Sequence, residues 1–268
     1  MKTSVKKSVR LLLAALLVLA MLPVATLLPA AASTDVATVN GTGYDSIYDA
    51  IAAANAIPEG ATVVLKAGAV ETLTEKITVT GKVTIEGANT RSKSTLLRAQ
   101  DYTGSLFEVA VGAELTLGQN LVIDGNNNWT FDIVLYSAAL ELGLNADDDD
   151  AFVFSADNSP VGKADMILNK GKLTVSCRVQ NSLIPAGHLI GAYSNSVTVL
   201  ENAEIIHCAN KTNGVIYSAS IGGQTAQQLI INDGTLIHGN YGGRNGGLFH
   251  AQATNNTVVM NGGEIFDN

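Results

Sequence analysis

The chain has 268 residues, of which 47% are apolar, 5% aromatic and 15% charged, with 26 Gly, 5 Pro and 2 Cys. It is too apolar and too weakly charged for a disordered chain, and two cysteines cannot make a disulfide-dense scaffold. Sixteen basic residues against 24 acidic ones lack the basic footprint of a nucleic-acid protein.

The first thirty residues read as an address. Lys2, Lys6, Lys7 and Arg10 form a basic region, and Leu11 to Leu22 an apolar one. Pro23 and Pro29 break it, and Ala30-Ala31-Ala32 offers small residues for cleavage. This layout predicts a signal peptide over 1–32; a retained membrane anchor is the alternative that the prolines disfavour. The first cysteine is Cys177, so the leader is not of the lipoprotein type. Cleavage after Ala32 removes four basic residues and no acidic ones, leaving 12 basic against 24 acidic residues. Such a surface repels nucleic acid and anionic lipid, so the exported chain is expected to insert in no membrane.

Residues 33–60 are expected to hold a strand and a capping helix. In Tyr44 to Ala56, apolar residues at Tyr44, Ile47, Tyr48, Ile51 and Ala52 or Ala54 follow helical spacing. Asp45 or Ser46 is placed to cap it, and Pro58-Glu59-Gly60 ends it.

From Ala61 to Asn268 the texture is short β-branched runs between Gly, Asn and Asp. A unit of strand, small turn and strand recurs as LTLGQNLVIDGN (115–126), MILNKGKLTVSC (166–177), VTVLENAEIIHCAN (197–210), LIINDGTLIHGN (229–240) and VVMNGGEIFDN (258–268). A third strand follows it in GSLFEVA, IVLYSA, GHLIGA, GVIYSA and GLFHA. Markers at Ile85, Leu117, Leu168, Val199, Ile231 and Met260 recur at a near-constant interval, except for one long gap from Leu117 to Leu168. That gap is one repeat plus an insertion near 139–164, which contains Asp147 to Asp150.

Three strands in about thirty residues fit neither a helical solenoid nor a four-stranded propeller blade. They fit an all-β parallel β-helix, each strand pairing with its equivalent one coil on. Six or seven coils at about 4.8 Å each predict a rod of roughly 30 Å. The crossover rule makes it right-handed.

These residues carry a resemblance. The stretch 39–88, from Val39-Asn40-Gly41 through Ala61-Thr62-Val63-Val64-Leu65 and Lys82-Val83-Thr84-Ile85-Glu86-Gly87, resembles the start of right-handed β-helix surface proteins of Gram-positive bacteria. The end, TVVMNGGEIFDN, is similar to their GG-x-I-x-x-N coils. The wider group is the pectate-lyase-like superfamily, which includes adhesin-like proteins, and the resemblance covers about residues 37 to 268. It implies fold and location more than activity, because the superfamily holds lyases, hydrolases, tailspikes and inert stalks. An amphipathic helix across the first coil would cover its open core and free edges. No such cover follows Phe266-Asp267-Asn268, so a chain truncated at that end is expected.

The resemblance also sets what a catalytic member needs: a cluster of carboxylates holding Ca²⁺ beside a base, or an Asp trio with Gly-His-Gly and Arg-x-Lys. Between the markers stand Thr84, Thr116, Ile167, Thr198, Ile230 and Val259, with no carboxylate. Gly187-His188-Leu189, His238-Gly239-Asn240 and Arg91-Ser92-Lys93 match the hydrolase motifs poorly.

Asp147, Asp148, Asp149 and Asp150 are the sharpest charge cluster, either a Ca²⁺ site with help from Asp124 and Asp157 or a solvated loop. No other cofactor is expected. Asn126, Asn127, Asn128 and Trp129, with Phe131 and Tyr136, make a candidate glycan contact, against a corner loop with core aromatics. His207 and His238 fall at matching places in successive coils, with Phe266 following them, and read as a side-chain ladder or a metal pair; His188 and His250 show no partner. Cys177 and Cys208, about one repeat apart, are a candidate disulfide between coils or two buried thiols.

The expectation is a secreted or cell-surface β-helix without enzymatic activity, an adhesin-like or structural display stalk for a glycan, host or cell-wall ligand. The rival is a polysaccharide-active lyase or hydrolase whose site uses the insertion.

Overall fold

The computed structural model describes residues 35–131, 154–155, 160–211, 213–219, 226–243, 247–252 and 254–268. The predicted signal peptide over 1–32, Tyr136, Asp147 to Asp150 and Asp157 lie outside them. Coil 1 consists of Ala61–Leu65, Val70–Leu73 and Ile77–Val79, and coil 2 of Lys82–Gly87, Ser94–Arg98 and Phe107–Val109. Coil 3 is Glu114–Leu117, Leu121–Asp124 and Ile167–Asn169; coil 4 is Lys172–Val175, Arg178–Leu183 and Ile190–Ala192. Coil 5 is Val197–Leu200, Glu204–Ala209 and Ile216–Ser218; coil 6 is Gln228–Ile231, Leu236–His238 and Phe249–Ala251. Thr257–Met260 and Glu264–Phe266 begin a seventh. First strands pair with first strands, second with second and third with third, in parallel, giving three sheets. This is a three-strand-per-coil β-helix, as the repeat predicts.

Strand alternation builds the core. In the first sheet Val63, Ile85, Leu117, Val175, Leu200 and Ile231 stack in one inward column, each nearly or fully buried. Burying each such side chain contributes about 1.5–3 kcal/mol. Arg98 is an exception inside the second sheet: its Nη1 donates to the carbonyls of Tyr102 and Gly104. Burial pulls its pKa down to about 10.

The register corrects the sequence alignment at coil 3. Val175, not Leu168, stacks between Leu117 and Leu200. Leu168 belongs to the third sheet, opposite Glu108 and Gly191. In coil 5 the stacked residue is Leu200, so Val199 moves to the outer face and Thr198 is buried. Along the stacked column the longest interval therefore runs from Leu117 to Val175, and the shortest from Val63 to Ile85. The outward column beside it becomes Thr84, Thr116, Thr174, Val199, Ile230 and Val259, with Thr174 in place of Ile167.

The insertion predicted near 139–164 falls within coil 3. In coil 3 the second-sheet strand ends at Asp124 and the third-sheet strand begins at Ile167. Thr130–Phe131 pairs antiparallel with Phe154–Ser155 at its stem.

The N-terminal end is sealed as the amphipathic pattern suggests, with a shorter helix. Ile47–Asn55 is helical, and Ser46 caps it by accepting from the Tyr48 amide at 3.1 Å. Tyr44 instead ends a hairpin, Ala37–Val39 with Thr42–Tyr44, turned by Asn40 and Gly41 at positive φ. That hairpin pairs with Ala61–Leu65 and covers the first sheet's edge. Ile47, Ala50, Ile51 and Ala54 form the buried stripe. Two polar helix side chains close the free edge of the third sheet. The Tyr48 hydroxyl accepts from the amides of Thr74 and Glu75 at 2.9 and 3.2 Å. Asn55 accepts from Thr80 and Gly81 and donates to the Thr78 carbonyl at 2.9 Å.

Asn55→Ala removes all three of those hydrogen bonds at once. It is expected to lower stability by about 1–2 kcal/mol in urea unfolding, more than an ordinary surface change. At the other end Val258, Val259, Met260, Ile265 and Phe266 are exposed. Among the described residues no helix is long and apolar enough to cross a membrane.

Candidate functional site

The outer face of the third sheet carries one column, Thr78, Glu108, Leu168, Gly191, Tyr217 and His250. Its lower part is a charge clamp. Glu108 accepts from Lys76 and, at 2.8 Å, from Lys170. These two hydrogen bonds hold its carboxyl below the ordinary range.

The upper part is different. Asp165 enters just before the third strand of coil 3, and only about a tenth of its side chain is exposed. Its Oδ1 accepts from the His188 backbone amide at 2.9 Å and lies 2.6 Å from His188 Nδ1. Its Oδ2 accepts from the Tyr193 hydroxyl at 2.7 Å. Beyond it, the other ring nitrogen of His188 meets Asn213 Nδ2 at 3.1 Å, and Asn213 Oδ1 meets His250 Nδ1 at 3.0 Å. The Tyr217 ring stacks on His188 at 4.0 Å and tilts against His250 at 5.3 Å. Tyr193 meets Tyr217 edge-on, and the Tyr217 hydroxyl donates to Gln252. Burial, with Asp165 second, pushes both phenols up, Tyr193 strongly.

Local sequence explains the convergence. Gly191 takes the column position beneath Tyr217, and a Cβ there would fall on the Asp165 carboxylate and the Tyr193 ring. Buried Asn210 donates to the carbonyls of Ile184 and Gly187 and accepts from the Asn213 amide, so one side chain ties residues 184–187 to residues 210–213. The sequence left His188 and His250 without partners; their partners are Asp165 and Asn213. The available signal was the alignment of GHLIGA, GVIYSA and GLFHA, which stacks Gly191, Tyr217 and His250.

The insertion stem forms a second cluster. Trp129 is buried with Leu183 and Ala209 and stacks on His207 at 4.6 Å. Trp129 Nε1 donates to the His207 carbonyl, and His207 Nε2 faces the Trp129 carbonyl, both at 2.9 Å. His207 Nδ1 faces Asn181 Oδ1, while Asn181 and Gln180 donate to Asp124. Asn126 turns the chain at positive φ and donates to the Arg98 carbonyl; Asn127 is buried and donates to Pro160; Asn128 is exposed. The structure therefore gathers Asn126, Asn127 and Trp129 into an anchor, with the indole inside rather than presented to a sugar.

Two pairings from the sequence are not made. Cys177 and Cys208 are both free and buried. Arg178 pairs with Glu204 and Ser182 with Cys208, so Cys177 stands five residues from the position opposite Cys208. Five residues of strand span about 16 Å, far beyond disulfide reach. The one-strand alignment slip at coil 3 produced the false neighbour. Burial pushes the Cys177 thiol up to about 12 and that of Cys208 higher still. Ellman's reagent is thus expected to find no thiol in the native protein and two after denaturation without reductant. Of the ladder only the last step forms: His238 faces Phe266 and stacks on it at 4.8 Å, while its other neighbour is Ile206, not His207.

Among the described residues no group of three or more His, Cys, Asp or Glu converges as a metal site. Compared with known proteins, the chain matches no family model, no curated protein and no solved structure.

Proposed function

We propose that this chain is an exported, non-catalytic β-helix of the adhesin-like, pectate-lyase-like kind. It would display the third-sheet face of coils 4 to 6 to a saccharide of a cell wall or host surface. The observation that carries the reading is the patch itself: Tyr193, Tyr217, His250 and Asn213 are half-buried and Gln252 is exposed on a stacked, rigid support. Aromatic rims and amide or hydroxyl groups suit a neutral, hydroxyl-rich ligand.

Several carboxylates already have structural duties. Glu108 holds two lysines, Asp165 holds His188 and Tyr193, Asp124 holds Gln180 and Asn181, and Glu204 faces Arg178 and His238. Glycan hydrolysis needs a pair of carboxyl groups poised across the bond. The acidic exported surface disfavours nucleic acid and anionic membranes as partners.

The test is a glycan array and titration calorimetry with wall and host saccharides. Binding that Tyr193→Ala weakens about tenfold or more, in a variant that still folds, supports the reading. No binding to any saccharide overturns it. The Asp165–His188 pair favours one rival, a polysaccharide-active enzyme. Incubation with pectins, alginates and host glycans, with and without Ca²⁺, separates the two: chain cleavage by the pure protein overturns the non-catalytic reading.

A further inference from the structure

Asp165, His188, Asn213 and His250 come one from each of coils 3, 4, 5 and 6, and they join end to end along the rod at 2.6, 3.1 and 3.0 Å. The middle member is an amide, which donates only from its nitrogen and accepts only at its oxygen. As arranged, Asn213 Nδ2 donates to His188 Nε2, so that nitrogen carries no hydrogen. The hydrogen of His188 is then on Nδ1, facing Asp165. His250 donates from Nδ1 to Asn213 Oδ1. Turning the amide over reverses both ends: His188 donates from Nε2, and His250 accepts at Nδ1. In either orientation only one of the two facing nitrogens carries a hydrogen. Two imidazolium rings would put N–H against both ends of one amide, and one of them would meet the NH₂ group.

We propose that Asp165–His188–Asn213–His250 is a one-proton relay: on acidification His188 takes up a single proton at Nε2, Asn213 turns over so that its oxygen accepts that N–H, and His250 stays neutral, giving up its Nδ1 hydrogen to solvent and taking one on Nε2. The added charge is best compensated at His188, whose Nδ1 already faces the Asp165 carboxylate. There it also gains the face of Tyr217, stacked 10° from parallel. The titratable groups facing the two rings, among the described residues, are Asp165, Tyr193 through Asp165, and Tyr217, besides each other.

Burial, and then His188, hold the His250 pKa below the ordinary imidazole range. The sign follows from that direction. A histidine depressed in the folded state contributes stability above its unfolded value of about 6.5, and the contribution is lost as pH falls through the folded value. Charging His250 therefore costs stability. The relay would change the charge of the third-sheet face at mildly acidic pH. It goes beyond the saccharide reading and stands or falls without it.

The experiment is long-range ¹H–¹⁵N correlation of the imidazole nitrogens from pH 4.5 to 8.5, in the wild-type protein and in His188→Gln and Asn213→Leu. In the wild type, no pH is expected at which both rings carry two N–H groups in the folded protein. In both variants the His250 midpoint is expected to rise. An unchanged His250 midpoint in His188→Gln overturns the relay. Should Asn213→Leu not fold, the wild-type spectra decide alone: a folded protein with two N–H groups on both rings also overturns it.

Discussion

Phe107→Ala is expected to lower the unfolding free energy by about 3–5 kcal/mol. Phe107 is fully buried and stands in the inward column of the third sheet, between Ile77 and Ile167. Its backbone is hydrogen-bonded to a strand on each side, so neither neighbour can move in to fill the hole. Truncation therefore costs the transfer free energy of the ring and most of the cavity term besides. Thr78→Ala, one step along the neighbouring strand on the outer face, is the control, with an expected change within about 0.5 kcal/mol. Urea unfolding followed by far-ultraviolet circular dichroism gives both values; an unchanged slope would show that the midpoint shift is stability alone. A loss below about 1 kcal/mol for Phe107→Ala would mean that the coils are not packed around this column.

Asp165→Ala is expected to cost a similar amount, about 3–5 kcal/mol, for a different reason. The carboxylate accepts from the His188 amide and the Tyr193 hydroxyl and faces the His188 ring, in a setting that is nine-tenths enclosed. Removing it leaves donors buried with nothing to meet them. Asp165→Asn keeps the size and one oxygen acceptor and is expected to lose less. A spectroscopic readout separates this from a general loss of packing. Burial first, and Asp165 second, keep the Tyr193 phenol protonated far into the alkaline range. In Asp165→Ala the burial stays and the charge goes, so Tyr193 ionises at lower pH than in the wild type, read by absorbance in an alkaline titration. An unmoved tyrosine titration would contradict the contact.

The architecture was legible because it is written locally and then repeated. Alternating apolar residues, Gly and Asn corners and a near-constant spacing identify three strands per coil without knowledge of which strand touches which. The helix was legible through Ser46 and the stripe Ile47, Ala50, Ile51 and Ala54. Its assumed start at Tyr44 failed because strand pairing with Ala37 outweighs one extra helical turn.

Coil 3 was misread because Met166 to Asn169 and Lys172 to Val175 are both short apolar strands before a turn. Only pairing tells them apart, and pairing is non-local. The false Cys177–Cys208 neighbour descends from the same slip. The candidate site was hidden for a related reason. Asp165, His188, Asn213 and His250 are far apart in the chain, and each is ordinary in its own segment. They become a chain of contacts only when stacking brings successive coils to strand spacing, about 4.8 Å. Trp129 shows the opposite case, a residue conspicuous in sequence that packing turns inward.

The central claim is the stacking register that carries the third-sheet face, and cysteine pairs on the outer face of the first sheet test it most directly. Thr174 lies opposite Thr116 in the folded chain, whereas alignment by sequence alone puts Ile167 there. Cα atoms on adjacent strands are about 4.8 Å apart, within disulfide range. Thr116→Cys with Thr174→Cys is predicted to cross-link on mild oxidation of the folded protein, and Thr116→Cys with Ile167→Cys is not. The reverse result would contradict the register, and with it the convergence of Asp165, His188, Asn213 and His250.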